Sequence, residues 1–371
     1  MGLLDRYRQF EALTEEEVNV GKRTVARERR ARELARVEPL DLARTTWPEV
    51  PPADVVGAIT FAARRGLHRY VERDAATLRD ELAARHGVDA ARVVVGGGAA
   101  HLLGAATQAL VEGPTDELIT PWPSYGLYPL MARRARAVAV PVAGFDVDSV
   151  LAAVTSRTRL VALCNPNDPT GALLPTAELR RLLGALPERV VVLLDEALRD
   201  FCTAEAVDDT VALLDAHPRL LLFRTFSKAW GLAGLRVGYA IGAAGAEPLL
   251  DGLRPELGLD ELAQAGALEA LRGYPDMARR HGAQVAAVRG QLGDGLRGLG
   301  YSVAPSEANV LWVSARGSLS GGQLAGALQR LGIVVAPGGP LGDEDHVRLT
   351  VPHREDLALR VLRAAELARG D

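Results

Sequence analysis

Between residues 90 and 227 the chain alternates two kinds of hydrophobic pattern. Short runs dense in Val, Leu and Ile occur at 91–97 (ARVVVGG), 116–122 (DELITPW), 158–166 (TRLVALCNP), 189–197 (RVVVLLDEA) and 219–227 (RLLLFRTFS). Each has strand length, so each is predicted to be a buried strand. Between several of them lie Ala- and Leu-rich amphipathic stretches, such as 99–113 (AAHLLGAATQALVEG) and 175–186 (PTAELRRLLGAL). Strand–helix alternation of this kind predicts an α/β domain with a mostly parallel sheet covered by helices on both faces. Ligands in such sheets sit in the loops just after the carboxyl ends of the strands, so residues carrying chemistry are expected there.

Past about residue 250 the pattern changes to long helical stretches, followed by short strand-like runs at 306–315 (SEANVLWVSA), 332–338 (GIVVAPG) and 346–351 (HVRLTV). This part reads as a second, smaller α+β domain. The opposite end behaves differently again, since residues 14–37 (TEEEVNVGKRTVARERRARELARV) are dense in charge and in helix formers. The interleaved Glu residues favour a solvated or partner-facing helix over an anion-binding arm. The expected organisation is a helical arm at 1–45 packing on the small domain or a partner, a large domain at 46–250 and a small C-terminal domain at 251–371. No internal repeat and no long linker interrupts this order.

The bulk numbers narrow the function classes. Of 371 residues, 48% are hydrophobic and 24% charged, which is ordinary for a globular protein. A net charge of −4 supplies no global field for nucleic acid or an anionic membrane. No uninterrupted apolar stretch could span a bilayer, and the opening MGLLDRYRQFEALTEEE lacks the basic-then-apolar order of a signal peptide. The two cysteines, Cys164 and Cys202, have no metal-ligand spacing, so no metal is expected and buried thiols in a reducing cytoplasm are.

Three short segments carry candidate chemistry, each at the end of a predicted strand. The first is Thr225-Phe226-Ser227-Lys228-Ala229-Trp230-Gly231-Leu232-Ala233-Gly234-Leu235-Arg236. A lone loop lysine is usually just solvated. Lys228, however, has hydroxyls around it and an arginine eight residues on, within an apolar, glycine-spaced segment. Hydroxyls and a guanidinium bind phosphate oxygens, and a desolvated amine becomes nucleophilic. The second is Val192-Leu193-Leu194-Asp195-Glu196-Ala197, whose Asp195 taken alone would read as a helix cap. The third is Cys164-Asn165-Pro166-Asn167-Asp168-Pro169-Thr170-Gly171, a turn that says little by itself. A dinucleotide fingerprint at Gly96-Gly97-Gly98 is not met, because its third glycine would fall at His101.

Taken together and in this order, the three segments resemble those of the fold-type-I pyridoxal-5′-phosphate (PLP) enzymes, specifically the class I/II aminotransferases. The histidinol-phosphate aminotransferase-like branch is the most similar, and the likeness runs from about residue 38 to the C-terminus. It implies that Lys228 carries PLP as a Schiff base and moves the proton during catalysis, and that Asp195 pairs with the protonated pyridine nitrogen. Tyr125 matches the aromatic that stacks on the ring. Thr225, Ser227 and Arg236 match phosphate ligands, and Gly98, Ala99 and Ala100 match the helix-opening turn whose N–H groups hold phosphate. Tyr70 matches a tyrosine that reaches the partner subunit's cofactor, which implies a homodimer; core packing is nearly as good a reading of it. Arg348 matches the arginine that grips the substrate α-carboxylate.

Several positions depart from the pattern. Asp168 stands where an Asn ordinarily donates to the cofactor's O3′, and Leu198 where a Tyr commonly does. Two like charges at about 4 Å repel by about 4 kcal/mol at an effective dielectric of about 20. Asp168 is therefore expected to share a proton with O3′ or to turn away from it. Ala100-His101 replaces an acidic pair, Arg44-Thr45-Thr46-Trp47-Pro48 replaces an Asn-Glu-Asn-Pro-like block, and Ala336 stands where histidinol-phosphate aminotransferases usually place an Arg for the substrate phosphate. The expected reaction moves an α-amino group from a histidinol-phosphate-like, aromatic or other amino donor to a 2-oxo acid. A decarboxylase, cyclase or lyase on the same scaffold and a catalytically silent PLP-binding protein are the alternatives.

Overall fold

A computed structural model describes residues 20, 24–29, 38–317 and 319–369. Its strands in chain order are β1 (Leu40–Asp41), β2 (Val93–Gly96), β3 (Glu117–Trp122), β4 (Val138–Ala143), β5 (Thr158–Cys164), β6 (Val191–Asp195), β7 (Leu220–Thr225) and β8 (Gly238–Ile241), then β9 (Ser302–Val303), β10 (Val310–Ser314), β11 (Ile333–Val334), β12 (Ala336–Pro337) and β13 (His346–Thr350). The strands β2 to β8 form one sheet in the order β2-β8-β7-β6-β5-β3-β4. Pairing is parallel from β7 through β6, β5 and β3 to β4, and β8 runs antiparallel between β2 and β7. Crossover helices such as Ala99–Leu110 and Thr176–Ala185 connect these strands.

Alternate residues of the inner strands enter two separate cores, as the period of two along a strand requires. Val161, Leu163, Val192, Leu194 and Leu222 belong to one core, whereas Leu160, Ala162, Leu193, Leu221 and Phe223 belong to the other. Burial on both faces explains why these strands read as continuous apolar runs. The register sets Cys164 beside Asp195 and Asp195 beside Phe223, so β5 and β6 end level with one another and β7 runs two residues further, to Thr225.

Two strands of this sheet were not expected from the pattern. The strand β4 is an edge strand with Pro141 in it and is mostly exposed, so it lacks a buried run. The strand β8 has only four residues and follows the glycine-spaced Lys228 loop, which masks it.

A second sheet, in the order β12-β13-β10-β9, is antiparallel throughout, and β1 pairs in parallel with β11. The long helices Glu261–Gly273 and Met277–Gly298 precede this sheet, and Glu355–Ala368 follows it. Most of the predicted arm helix at 14–37 lies outside the described residues. Residues 24–29 are helical, and Arg27 Nη2 donates to the Leu367 carbonyl at 2.8 Å, against the C-terminal helix. The arm is not helical to residue 45, because Leu40–Asp41 is drawn into the pairing with β11. Among the described residues no helix is long and apolar enough to cross a membrane.

Candidate active site

The neighbouring carboxyl ends of β5, β6 and β7 open into a cleft of about 710 Å³, counting the part continuous with solvent. Asp195, Lys228, Thr225, Ser227 and Arg236 line it, as do Ala99, Ala100, Tyr125 and Asp168. Positions spread over more than a hundred residues are thus brought to one place by the strand order. Tyr70 is fully exposed and does not line the cleft.

Asp195 closes β6 and is buried. Its Oδ2 accepts from the Tyr128 hydroxyl at 3.0 Å and its Oδ1 from the Ala197 N–H at 3.1 Å. Burial nonetheless pushes its carboxyl up to about 6, the two hydrogen bonds and the Lys228 charge opposing that rise. An anion at this position therefore lacks a full counter-charge until a cation is brought against it. Tyr128 is wholly buried, and Tyr125 meets it edge-on with ring centroids 5.8 Å apart. Sequence reasoning missed Tyr128, since a tyrosine on an apolar helix face ordinarily reads as core.

Lys228 follows β7 in a tight turn, where the Gly231 N–H donates to the Lys228 carbonyl at 2.9 Å. Burial pushes its ammonium below the usual lysine range; Arg348 adds to that, while Asp168 and Asp195 oppose it. Its Nζ donates to the Thr45 hydroxyl, which is itself buried. Thr45 also went unassigned in the sequence, although its block had been noted as altered. The contact spans 183 residues, and no local spacing signals it.

The other end of the cleft is cationic. Helix Ala99–Leu110 starts at Gly98 with φ 95° and no capping side chain. A Cβ at Gly98 would meet Arg236 Nη2 at 2.6 Å, so the glycine lets the guanidinium pack against the helix start. Arg236 Nη1 donates to Ser227 Oγ at 2.9 Å, and Thr225 Oγ1 donates to the same oxygen at 3.0 Å. Uncapped helical N–H groups, a guanidinium and two hydroxyls make a cradle suited to a phosphate. The residues present therefore fit a group with a phosphate at one end and a ring cation for Asp195 at the other.

Asp168 has turned toward Arg348. Arg348 Nη1 donates to Asp168 Oδ1 at 2.8 Å, and both side chains are largely buried. Leu198, buried beside Ala197 in the cleft wall, offers no donor. Arg348 lies on β13 directly across from Trp312 on β10 and from Ala336 on β12.

A helix-covered, mostly parallel sheet whose strand ends hold a partly buried lysine, a buried aspartate and a phosphate cradle defines a fold-type-I PLP-dependent transferase. Residues 35–365 match the family described as aminotransferase class I and II, and the chain belongs to that family. It is 37% identical to the aromatic amino acid aminotransferase of Streptomyces coelicolor, with 84% of this chain and 86% of the relative covered. It is 38% identical to histidinol-phosphate aminotransferase 2 of Ralstonia nicotianae, with 88% and 87% covered. Among solved structures, the histidinol-phosphate aminotransferase of Sinorhizobium meliloti in complex with pyridoxal-5′-phosphate superposes with a TM-score of 0.78, at 27% identity and covering 92% of this chain and 94% of that one. The aspartate aminotransferase of Thermus thermophilus with maleate also gives 0.78, at 25% identity and with 93% and 96% covered. The protein is a PLP-dependent aminotransferase.

Proposed function

We propose that Lys228 holds PLP in this cleft and that the enzyme moves an α-amino group between an aromatic or other apolar amino acid and a 2-oxo acid. The observation that carries this reading is the partly buried Lys228 amine in one cleft with the buried, cation-seeking Asp195 and the phosphate cradle. When bound, the cofactor supplies an electron sink for the bond broken at the substrate α-carbon.

The remaining work belongs to the chain's own residues. Arg236, Ser227, Thr225 and the N–H groups of Ala99 and Ala100 anchor the phosphate. Asp195 holds a proton on the ring nitrogen, and Tyr128 steadies that carboxylate through its hydroxyl. Tyr125 covers the ring. Lys228, whose ammonium is destabilised by burial, takes the proton from the substrate carbon and returns it. Arg348 faces the substrate's α-carboxylate end. Tyr70, fully exposed on one copy, completes the phosphate site of a second copy, so the active unit is a homodimer. The enzyme works in the cytoplasm, as the absence of a membrane-spanning helix among the described residues permits.

Two observations favour an apolar donor over a phosphorylated one. Ala336, across from Arg348, is a small apolar residue where histidinol-phosphate aminotransferases usually place an arginine. Several of the relatives are named aromatic amino acid aminotransferases. The test is to mix holoenzyme with phenylalanine alone and follow conversion of the bound cofactor to its amine form, then add 2-oxoglutarate and measure glutamate and phenylpyruvate. Release of carbon dioxide with the cofactor unchanged would assign a decarboxylase, and no change with any amino donor would assign a silent binding protein.

A further inference from the structure

The guanidinium of Arg348 is already engaged by the protein. Nη1 donates to Asp168 Oδ1 at 2.8 Å, Nη2 donates to the Ala43 carbonyl at 2.6 Å, and Nε is buried without a partner. A carboxylate held bidentately needs two parallel N–H groups of one guanidinium. One of the two outward arms here points at another carboxylate.

Asp168 is not free to swing aside cheaply. It is 7% exposed and sits in the turn after β5, where the Asp168 N–H donates to Cys164 Sγ at 3.4 Å. Its neighbour Asn167 is fixed on three sides. Ser124 Oγ donates to Asn167 Oδ1 at 2.7 Å, Asn167 Nδ2 donates to the Pro123 carbonyl at 3.0 Å, and the Gly171 N–H donates to the Asn167 carbonyl at 2.7 Å. The other charged groups near Asp168 are Lys228 and Asp195, both committed to the cofactor in the reading above. Arg348 is the cation left to it.

We infer that Asp168 is a specificity-determining residue, a resident carboxylate on Arg348 that disfavours donors bearing an α-carboxylate relative to the same donors without one. The inference rests on Arg348 being the substrate-carboxylate residue of the proposed function. An amino acid must bring its carboxylate against an occupied guanidinium and a second anion. An amino alcohol or simple amine of the same side chain meets a neutral, self-compensated pair. The chemical class favoured by Asp168 is thus an amine whose α-carbon carries a neutral substituent.

The experiment uses holoenzyme and matched pairs. Phenylalanine and phenylalaninol are compared as amino donors. In parallel, the dissociation constants of 3-phenylpropionate and 3-phenylpropanol are read from the shift in the bound cofactor's visible absorbance. Wild type, Asp168→Asn and Arg348→Gln are measured side by side, and the ratio within each pair removes any general effect on the cofactor. The expected result is that Asp168→Asn raises the carboxylate-to-alcohol ratio, in kcat/KM and in affinity, by between about tenfold and about 1,000-fold, according to how far solvent screens the lost like charge. Arg348→Gln should weaken 3-phenylpropionate selectively. An unchanged ratio in Asp168→Asn with weakened 3-phenylpropionate in Arg348→Gln overturns the role of Asp168 and leaves that of Arg348 standing. Unchanged 3-phenylpropionate affinity in Arg348→Gln overturns the assignment of Arg348, and the inference with it.

Discussion

Without its cofactor the protein should lose stability through Asp195 as the pH rises. Burial raises that carboxyl from its ordinary 3.8 to about 6, so the folded chain favours the protonated form over the unfolded chain. A group with its folded value raised contributes stability that is fully present below the unfolded value and lost as pH climbs through the folded one. The rise corresponds to about 3 kcal/mol in all. Of this, about 2 kcal/mol is lost between about pH 4.5 and about pH 7, at about 1.4 kcal/mol for each pH unit below the folded value. That is a sizeable fraction of a typical domain's total stability of about 5–15 kcal/mol. The assay is chemical denaturation of the cofactor-free protein and of Asp195→Asn over this range. The difference between the two isolates the one titration, since other groups titrate alike in both. Wild type should lose about 2 kcal/mol relative to the variant across the range. In the holoenzyme the ring cation against Asp195 should abolish most of this slope. A wild-type-minus-variant difference that is flat, or that grows with pH, would refute the argument that Asp195 is an under-compensated anion in the empty cleft.

Lys228→Ala should abolish turnover, and borohydride reduction of the wild-type holoenzyme followed by peptide mapping should label Lys228; label on another lysine would sink its assignment. Tyr70→Ala should weaken cofactor binding and, when mixed with Lys228→Ala, should regain activity, because each hybrid dimer would rebuild one site with both residues. Activity of the mixture no greater than that of Tyr70→Ala alone would contradict a cross-subunit role for Tyr70. The double change Asp168→Asn with Leu198→Tyr restores two hydrogen-bond donors toward O3′, so the pH midpoint of the bound cofactor's visible absorbance should move downward; identical midpoints would show that neither position senses that oxygen.

The parts of the fold that the sequence made legible are those where one physical cause acts alone. The strands β5, β6 and β7 are buried on both faces and carry uninterrupted apolar runs of four or five residues, and β3 is buried with a shorter one. Asp195 and Lys228 stood out because each breaks or follows such a run at its carboxyl end. The strand β4 was hidden because its exposed edge position and Pro141 remove both the run and the alternation. Tyr128 was hidden for the opposite reason, since a wholly buried tyrosine looks like core until its hydroxyl is seen on Asp195. The contacts of Thr45 with Lys228 and of Asp168 with Arg348 span 183 and 180 residues. The sequence marked all four of those side chains, or the blocks holding them, as unusual or important. It could not say which faced which, and it left open whether Asp168 shares a proton with the cofactor's oxygen or turns away, without pointing to Arg348 as the partner.

That pairing changes how the departures at 168 and 198 fit together. With an asparagine at 168 the cleft would hold Lys228, Arg236 and Arg348 against the single carboxylate of Asp195. The phosphate would then take Arg236 and the helix start, leaving Arg348 as an uncompensated cation to attract a substrate anion. Asp168 removes that surplus charge, and Arg348 meets it at 2.8 Å within a largely buried pair, where salt screens little. Leu198 meanwhile takes away a donor on the O3′ side, so neither position compensates the other there. The two changes together lower the charge and hydrogen-bonding capacity offered to anions, on the substrate side and on the cofactor side alike. In the proposed function, a cleft altered in that direction would suit donors of low charge, which is the direction in which Ala336 points as well.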